Sequence, residues 1–215
     1  MRIIEPSHFF ETPICGDHGR AMLQLIERAA RTCNKSECKI TSESAGDFVR
    51  KIAQVKKHVC VIEHASVTIR FICDRGVTHE IVRHRIAAYS QESTRYCNYS
   101  KDQFGKEITV IQPPFWPVAS APWMQWKSAC EGAEANYFAL LEQGASAQEA
   151  RSVLPNSLKT EIVMTANLRE WRHVLLLRCA KAAHPQMQQL MRPVLAEFQK
   201  YLPELFEDIH AEVQS

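Results

Sequence analysis

Val67, Ile69, Phe71 and Cys73 alternate with Ser66, Thr68 and Arg70, the two-residue period of a strand with one buried face. A second alternation runs from Thr160 to Asn167, setting Ile162, Met164 and Ala166 against Glu161, Val163 and Thr165. Helical periods surround these strands. Met22, Leu25, Ile26, Ala29 and Ala30 share a face over residues 20–31, and Phe48, Ile52 and Val55 share one over residues 45–57. Trp126, Cys130, Ala133, Tyr137 and Leu141 form a stripe on a long helix. A helix from Leu168 buries Leu168, Trp171 and Leu175. A last one runs from Pro185 towards Tyr201, where Pro193 is expected to kink or split it.

Punctuation between these segments is mostly chemical. Residues 2–14 alternate weakly around Pro6 and Pro13 and read as an edge strand. Gly76 breaks the strand before it, and Val77 or Thr78 starts a short helix carrying His79, Glu80, Arg83 and His84. Pro113, Pro114, Pro117 and Pro122 make a rigid connector. Ser146 with Glu149 is a capping box, which puts Arg151 on a short helix stopped by Leu154-Pro155. Asn167 is placed to cap the next helix, with Glu170 at its third position. No repeat and no Gly-x-Gly-x-x-Gly turn occurs, so a Rossmann nucleotide site is not expected. Any dinucleotide here must be held by side chains and helix ends.

Composition narrows the class. With 215 residues and 46% hydrophobic content the chain can bury a core as one domain or two small ones. Its 26 basic and 24 acidic residues leave a net charge of +2, so there is no global basic field of the kind nucleic-acid binders carry. The eight cysteines include no Cys-x-x-Cys pair and suit intact thiols in a reducing cytoplasm. No signal peptide or membrane-spanning run is read in the sequence.

Positive charge is instead concentrated between Arg83 and Tyr96. That stretch holds Arg83, His84, Arg85, Tyr89, Ser90, Gln91, Glu92, Ser93, Thr94, Arg95 and Tyr96, and has no period of its own. Guanidinium groups grip phosphate through paired hydrogen bonds, hydroxyls and amides complete a nucleotide's polar edges, and tyrosine offers a stacking ring. Three readings fit the residue types: a small anionic ligand, a solvated basic loop, or a single-strand nucleic-acid groove built from Arg83, Arg85, Arg95, Tyr89, Tyr96 and Tyr99. A zinc-protease reading of His79-Glu80 fails, because His84 lies five residues on and about 140° around a helix.

Arg-His-Arg followed after seven residues by Ser93, then Arg95-Tyr96, resembles the signature of the flavin-dependent thymidylate synthases, the ThyX family. The resemblance recurs in His58-Val59-Cys60-Val61-Ile62-Glu63-His64 and from Asn167-Leu168-Arg169 to Arg178, and so covers most of the chain. It implies an α+β protomer in one domain spanning residues 1–215, a mixed sheet flanked by helices, assembled as a cytoplasmic homotetramer with active sites at subunit interfaces. It implies reductive methylation of deoxyuridylate (dUMP) to thymidylate (dTMP), with methylenetetrahydrofolate giving the carbon and FAD, reduced by NADPH, giving the hydride. Its partners are then small molecules, with no nucleic acid, membrane or metal.

Residue by residue, the resemblance assigns Cys60, Arg83, His84, Arg85, Gln91, Asn167, Arg169 and His173 to FAD. It assigns Glu80, Arg83, Gln91, Glu92, Ser93, Thr94, Arg95, Arg151 and Arg178 to dUMP, with Arg178 as the catalytic contact to the uracil ring. Cys60, Glu80 and Gln91 depart from the commoner Ser or Thr, Gln and Glu. None of the cysteines follows a proline, as the nucleophile of a classical thymidylate synthase does; Cys97 is the best candidate thiol, since flanking arginines would lower its pKa. A nucleophilic role is not expected for it. On the helix from Leu168, Arg169 and His173 share a face, whereas Arg178 lies about 180° from Arg169, so the helix should present polar groups to two sides.

Overall fold

Residues 1–210 are described by the structure, a computed structural model. The two alternating segments form its longest strands, β3 (Ser66–Asp74) and β6 (Lys159–Asn167); buried and half-buried residues alternate along all of β6 and from Val67 to Cys73 in β3. They are the inner strands of a four-stranded sheet ordered β2-β3-β6-β4, edged by β2 (Ser7–Phe10) and β4 (Ala87–Gln91). A second, parallel sheet pairs β1 (Arg2–Ile4) with β5 (Thr109–Ile111). The expected single N-terminal strand is thus two short ones in different sheets. Pro6, which offers no N–H to a ladder, lies between them.

β4 is the main departure from expectation. The polar signature was expected to lack a period, yet Ala87–Gln91 is extended and alternates half-buried with exposed. Periodicity in hydrophobicity cannot reveal a strand whose inward residues are themselves polar.

The chain divides into two compact units. The first comprises residues 1–7, 71–83 and 89–163. Its core joins Tyr99, Ile108, Val110, Cys130, Tyr137, Ala150 and Leu158. The long helix α4 (Ala121–Glu142) supplies Cys130 and Tyr137 to it, and Gly144 past its end takes the left-handed conformation (φ 91°) that a side chain would resist. The capping box forms as expected on α5 (Ala147–Ala150), with Arg151 in the tighter turn that follows. In this unit α3 (Arg75–Ile81) starts earlier than Gly76 suggested, because the Asp74 carboxylate accepts the N–H of Val77 at 2.7 Å and caps the first turn.

The second unit comprises residues 8–70, 84–88 and 164–215, of which 211–215 lie outside the described residues. Helices α1 (Asp17–Thr32), α2 (Ala45–Arg50), α6 (Leu168–Arg178), α7 (Pro185–Tyr201) and α8 (Pro203–Phe206) surround an aromatic core in which Phe198 stacks on Phe206 (ring centroids 4.4 Å apart) and meets Trp171. On α1 the buried stripe is Gly19, Leu23, Ile26 and Ala30, with the buried Glu27–Arg31 pair beside it; Leu25 faces solvent. The ion pair lets charged residues occupy the buried face, which shifts the stripe from its hydrophobic reading. Helix α2 gives way to a wider turn at Lys51–Val55, so Val55 leaves the predicted face and is 73% exposed. Pro193 neither ends nor splits α7. Leu190, Met191, Val194 and Leu195 are buried around it, and their burial offsets the roughly 3 kcal/mol that an interior proline costs.

Candidate functional site

Two groups of signature residues form, one in each unit. In the first unit, β4 ends in the turn that carries the nucleotide-type residues. The backbone N–H of Glu92 donates to the carbonyl of Glu161 as the last rung of that edge, after which the chain reverses at Ser93. The N–H groups of Tyr96 and Cys97 both donate to the carbonyl of Ser93, at 3.0 and 2.9 Å. Thr94 is buried, while Arg95 is exposed with its guanidinium over the ring of Tyr96. Arg151 reaches the same turn, donating from Nη1 to Thr94 Oγ1 at 3.4 Å. The result is a short polar turn with two arginines and two hydroxyls close together, a set suited to a phosphate monoester.

Gln91 and Glu92 point into the protein. The Gln91 amide donates to Thr78 Oγ1 at 3.0 Å and Thr160 Oγ1 at 3.3 Å. Glu92 accepts from Tyr99 Oη at 2.9 Å and from Lys159 Nζ at 3.0 Å, and Lys159 also holds Glu161 at 2.7 Å. Burial alone would lower the Lys159 ammonium, but hydrogen bonds to Glu161 and Glu92 outweigh it and raise its pKa. Glu80 is half-buried on α3, and Arg83 is exposed just past its end. Lys159 and Tyr99 were absent from the expected nucleotide site; Lys159 stands 67 positions from Glu92, which leaves no local signal.

Cys97 also departs from expectation. Flanking arginines were expected to lower its pKa, but burial and the Glu92 carboxylate raise it, so it is not poised as a thiolate. Tyr99 is buried and Tyr89 donates its hydroxyl to the Ile81 carbonyl; of the three candidate stacking rings only Tyr96 is exposed. That removes the stacking platform a nucleic-acid groove would need.

In the second unit, Asn167 caps α6 by accepting the N–H of Glu170 at 2.9 Å, as its position in the sequence suggested. This presents Asn167, Arg169, Glu170 and His173 around a cavity of about 390 Å³, closed on other sides by Glu63 and Ile86. Arg169 pairs with Glu63 on the turn that also carries Cys60, and Cys60 is exposed. Arg85 is exposed; His84, its neighbour, is buried.

His84 organises this group. Its ring meets that of His173 edge-on at 5.8 Å, and its Nδ1 lies 3.5 Å from Glu170 Oε1. Nε2 accepts a hydrogen bond from Arg178 Nε at 2.9 Å. A guanidinium can only donate, so Nε2 carries no proton and the ring is the neutral Nδ1–H tautomer. Burial, then the charges of Arg178 and His173, push its pKa down to about 4. Burial in turn raises the pKa of Glu170. Helix α6 was expected to present its polar groups to two separate sides. His84 instead touches both His173 and Arg178, because the long arginine side chain reaches around the helix end.

His84, Glu170 and His173 offer nitrogen and oxygen atoms within 4.8 Å of one another. With a guanidinium bonded to His84 and Arg169 nearby, the cluster favours an anionic or acceptor-rich ligand over a cation. Its cavity donors, Arg169 and the Asn167 amide, suit the pyrophosphate of a dinucleotide cofactor without a glycine-rich cradle.

Residues 17–204 match the family described as Thymidylate synthase complementing protein. A flavin-dependent thymidylate synthase of Geobacter sulfurreducens is 33% identical over 190 residues, covering 85% of this chain and 80% of that protein. One of Mycobacterium tuberculosis is 32% identical over 202 residues, covering 86% and 78%. A crystal structure of thymidylate synthase X from Helicobacter pylori with FAD and dUMP superposes with a TM-score of 0.72 at 21% identity, covering 95% of this chain and 98% of the other. The chain belongs to the family of flavin-dependent thymidylate synthases.

Proposed function

We propose that the protein converts dUMP to dTMP, binding FAD through the second-unit group and the nucleotide phosphate through the Ser93–Arg95 turn. The observation that carries the cofactor half is the buried neutral His84, fixed between Arg178 and Glu170 beside the Asn167–Arg169–His173 cavity. FAD, once bound and reduced by NADPH, supplies the hydride that completes the methyl group carried over from methylenetetrahydrofolate. Arg169 and Arg85 neutralise the pyrophosphate, the Asn167 amide orients its neighbours, and His84 holds Glu170 and Arg178 in place. Cys60 stands at the edge of this group.

Ser93, Thr94, Arg95 and Arg151 hold the dUMP phosphate, with Arg83 and Glu80 nearby in the chain. Gln91 and Glu92 support the pocket from beneath. Arg178, held in orientation by His84, stabilises negative charge on the uracil as the ring is activated. The chain works as a cytoplasmic homotetramer whose active sites draw on several subunits. No helix among the described residues is long and apolar enough to cross a membrane.

The test is direct. Purified protein should be yellow, release FAD on denaturation, oxidise NADPH only when dUMP is present, and form dTMP when methylenetetrahydrofolate is added. A colourless protein that also fails to take up added FAD would sink the assignment. Flavin binding without dUMP-dependent turnover would leave a binding protein rather than an enzyme.

A further inference from the structure

We propose that Tyr99 and Lys159 are positioning residues for the nucleotide phosphate, acting through Glu92; this rests on the reading of Ser93–Arg95 as phosphate contacts. A carboxylate next to a phosphate-binding turn is a liability, since like charges repel. Here both oxygens of Glu92 are turned onto protein donors, one to Tyr99 Oη (2.9 Å) and one to Lys159 Nζ (3.0 Å). The Glu92 side chain is 13% exposed and that of Lys159 is 21% exposed, so the pair is screened little by solvent. Lys159, shared between Glu92 and Glu161 (2.7 Å), offsets part of this negative charge before any anion arrives and draws the Glu92 carboxylate away from the turn.

Tyr99 adds geometry. It lies seven residues past Glu92, so its hydroxyl closes the neck of the loop that carries Ser93, Thr94 and Arg95. Tyr99 is itself fixed: its N–H donates to Tyr137 Oη at 3.3 Å, and its ring packs edge-on to Phe104 at 5.4 Å. The turn inherits the rigidity of the first unit's core. A hydrogen bond that holds a phosphate loop in its binding shape acts alike on ground and transition states, so its loss should raise KM and spare kcat.

The experiment measures KM and kcat for dUMP in the FAD-loaded enzyme for Tyr99→Phe, Lys159→Met, Lys159→Met/Glu92→Gln and Arg95→Ala, with melting temperature and FAD occupancy recorded for each. Tyr99→Phe and Lys159→Met should each raise KM about tenfold, the scale of one hydrogen bond to a charged group, with kcat changed less than about threefold. Adding Glu92→Gln to Lys159→Met removes the one of the two freed carboxylates that adjoins the turn and should recover part of the lost affinity, a rescue that a purely structural lysine would not show. If Arg95→Ala raises KM while Tyr99→Phe and Lys159→Met leave it unchanged, the inference is overturned and the phosphate reading stands. If Arg95→Ala too leaves it unchanged, the phosphate reading itself falls. Equal losses in kcat and kcat/KM together with a lower melting temperature would reduce both residues to structural supports and also overturn the inference. Should Lys159→Met fail to fold, the isosteric Tyr99→Phe decides alone.

Discussion

Arg178 Nε donates to His84 Nε2 at 2.9 Å, which fixes one tautomer of a buried imidazole by means of a permanently charged group. Arg178 is thereby tied to the residue at the centre of the second-unit cluster, although their positions differ by 94 in the chain.

Arg178→Lys tests that tie. Lysine keeps the charge but loses the planar fork, and one mobile ammonium cannot both hold His84 and present a fixed donor to the uracil. Losing a preorganised donor at developing charge lowers turnover by about 10²–10³-fold. Because His84 is freed as well, FAD affinity should weaken in the same variant. The check is dTMP formation at saturating dUMP, with FAD occupancy read by absorbance. Near-normal turnover would place Arg178 outside the chemistry.

His84 also makes stability depend on pH. Its pKa in the folded protein is pushed down to about 4 from an ordinary 6.5, so between those values the unfolded chain binds more protons than the native one. The stability this group contributes is full above about pH 6.5 and is lost as pH falls towards 4, by up to about 3 kcal/mol. Glu170, whose carboxyl is pushed up by burial, titrates in the opposite sense and offsets part of the slope. Thermal unfolding of wild type and His84→Gln at pH 7.5 and pH 5 should show a smaller drop in the variant; parallel drops would contradict the assignment.

Arg95→Ala should weaken dUMP binding more than it slows the bound complex. The guanidinium is exposed and rests over Tyr96, available to an incoming phosphate, and a charge-assisted contact of this kind contributes about 1.5–3 kcal/mol. Roughly a tenfold or greater rise in KM with kcat largely kept is expected. Steady-state kinetics against dUMP concentration decide it.

Thiol chemistry should be dispensable. Burial raises the pKa values of Cys97, Cys130 and Cys179, the last to about 11, so these sulfurs stay protonated at neutral pH. Cys97→Ser should retain substantial dTMP formation. Abolished turnover with flavin and fold intact would mean the mechanism needs a covalent sulfur step.

Much of the scaffold was legible because its determinants are local. The alternations of β3 and β6, the Ser146–Glu149 box and the Asn167 cap each depend on residues within a few positions of one another, and each forms as read. What escaped depends on partners far along the chain. The continuity of α7 through Pro193 follows from burial on both sides of it, and the exposure of Leu25 follows from the Glu27–Arg31 pair taking its place. The candidate site shows the same split. The signature named candidate residues, but not that Glu92 faces Lys159 across 67 positions, nor that Arg178 meets His84.

The alternation within β4 bears on how this stretch tolerates drift. Ala87, Tyr89 and Gln91 turn one way and are half-buried, while Ala88 and Ser90 turn outward. Tyr89 is bonded to the Ile81 carbonyl and Gln91 to two threonines, so changes there disturb the fold. Changes at 88 and 90 meet only what lies outside the strand. A motif read as one continuous string is in space two interleaved sets under different constraints, and a string match that weights every letter alike mixes tolerance of the fold with tolerance of the surface.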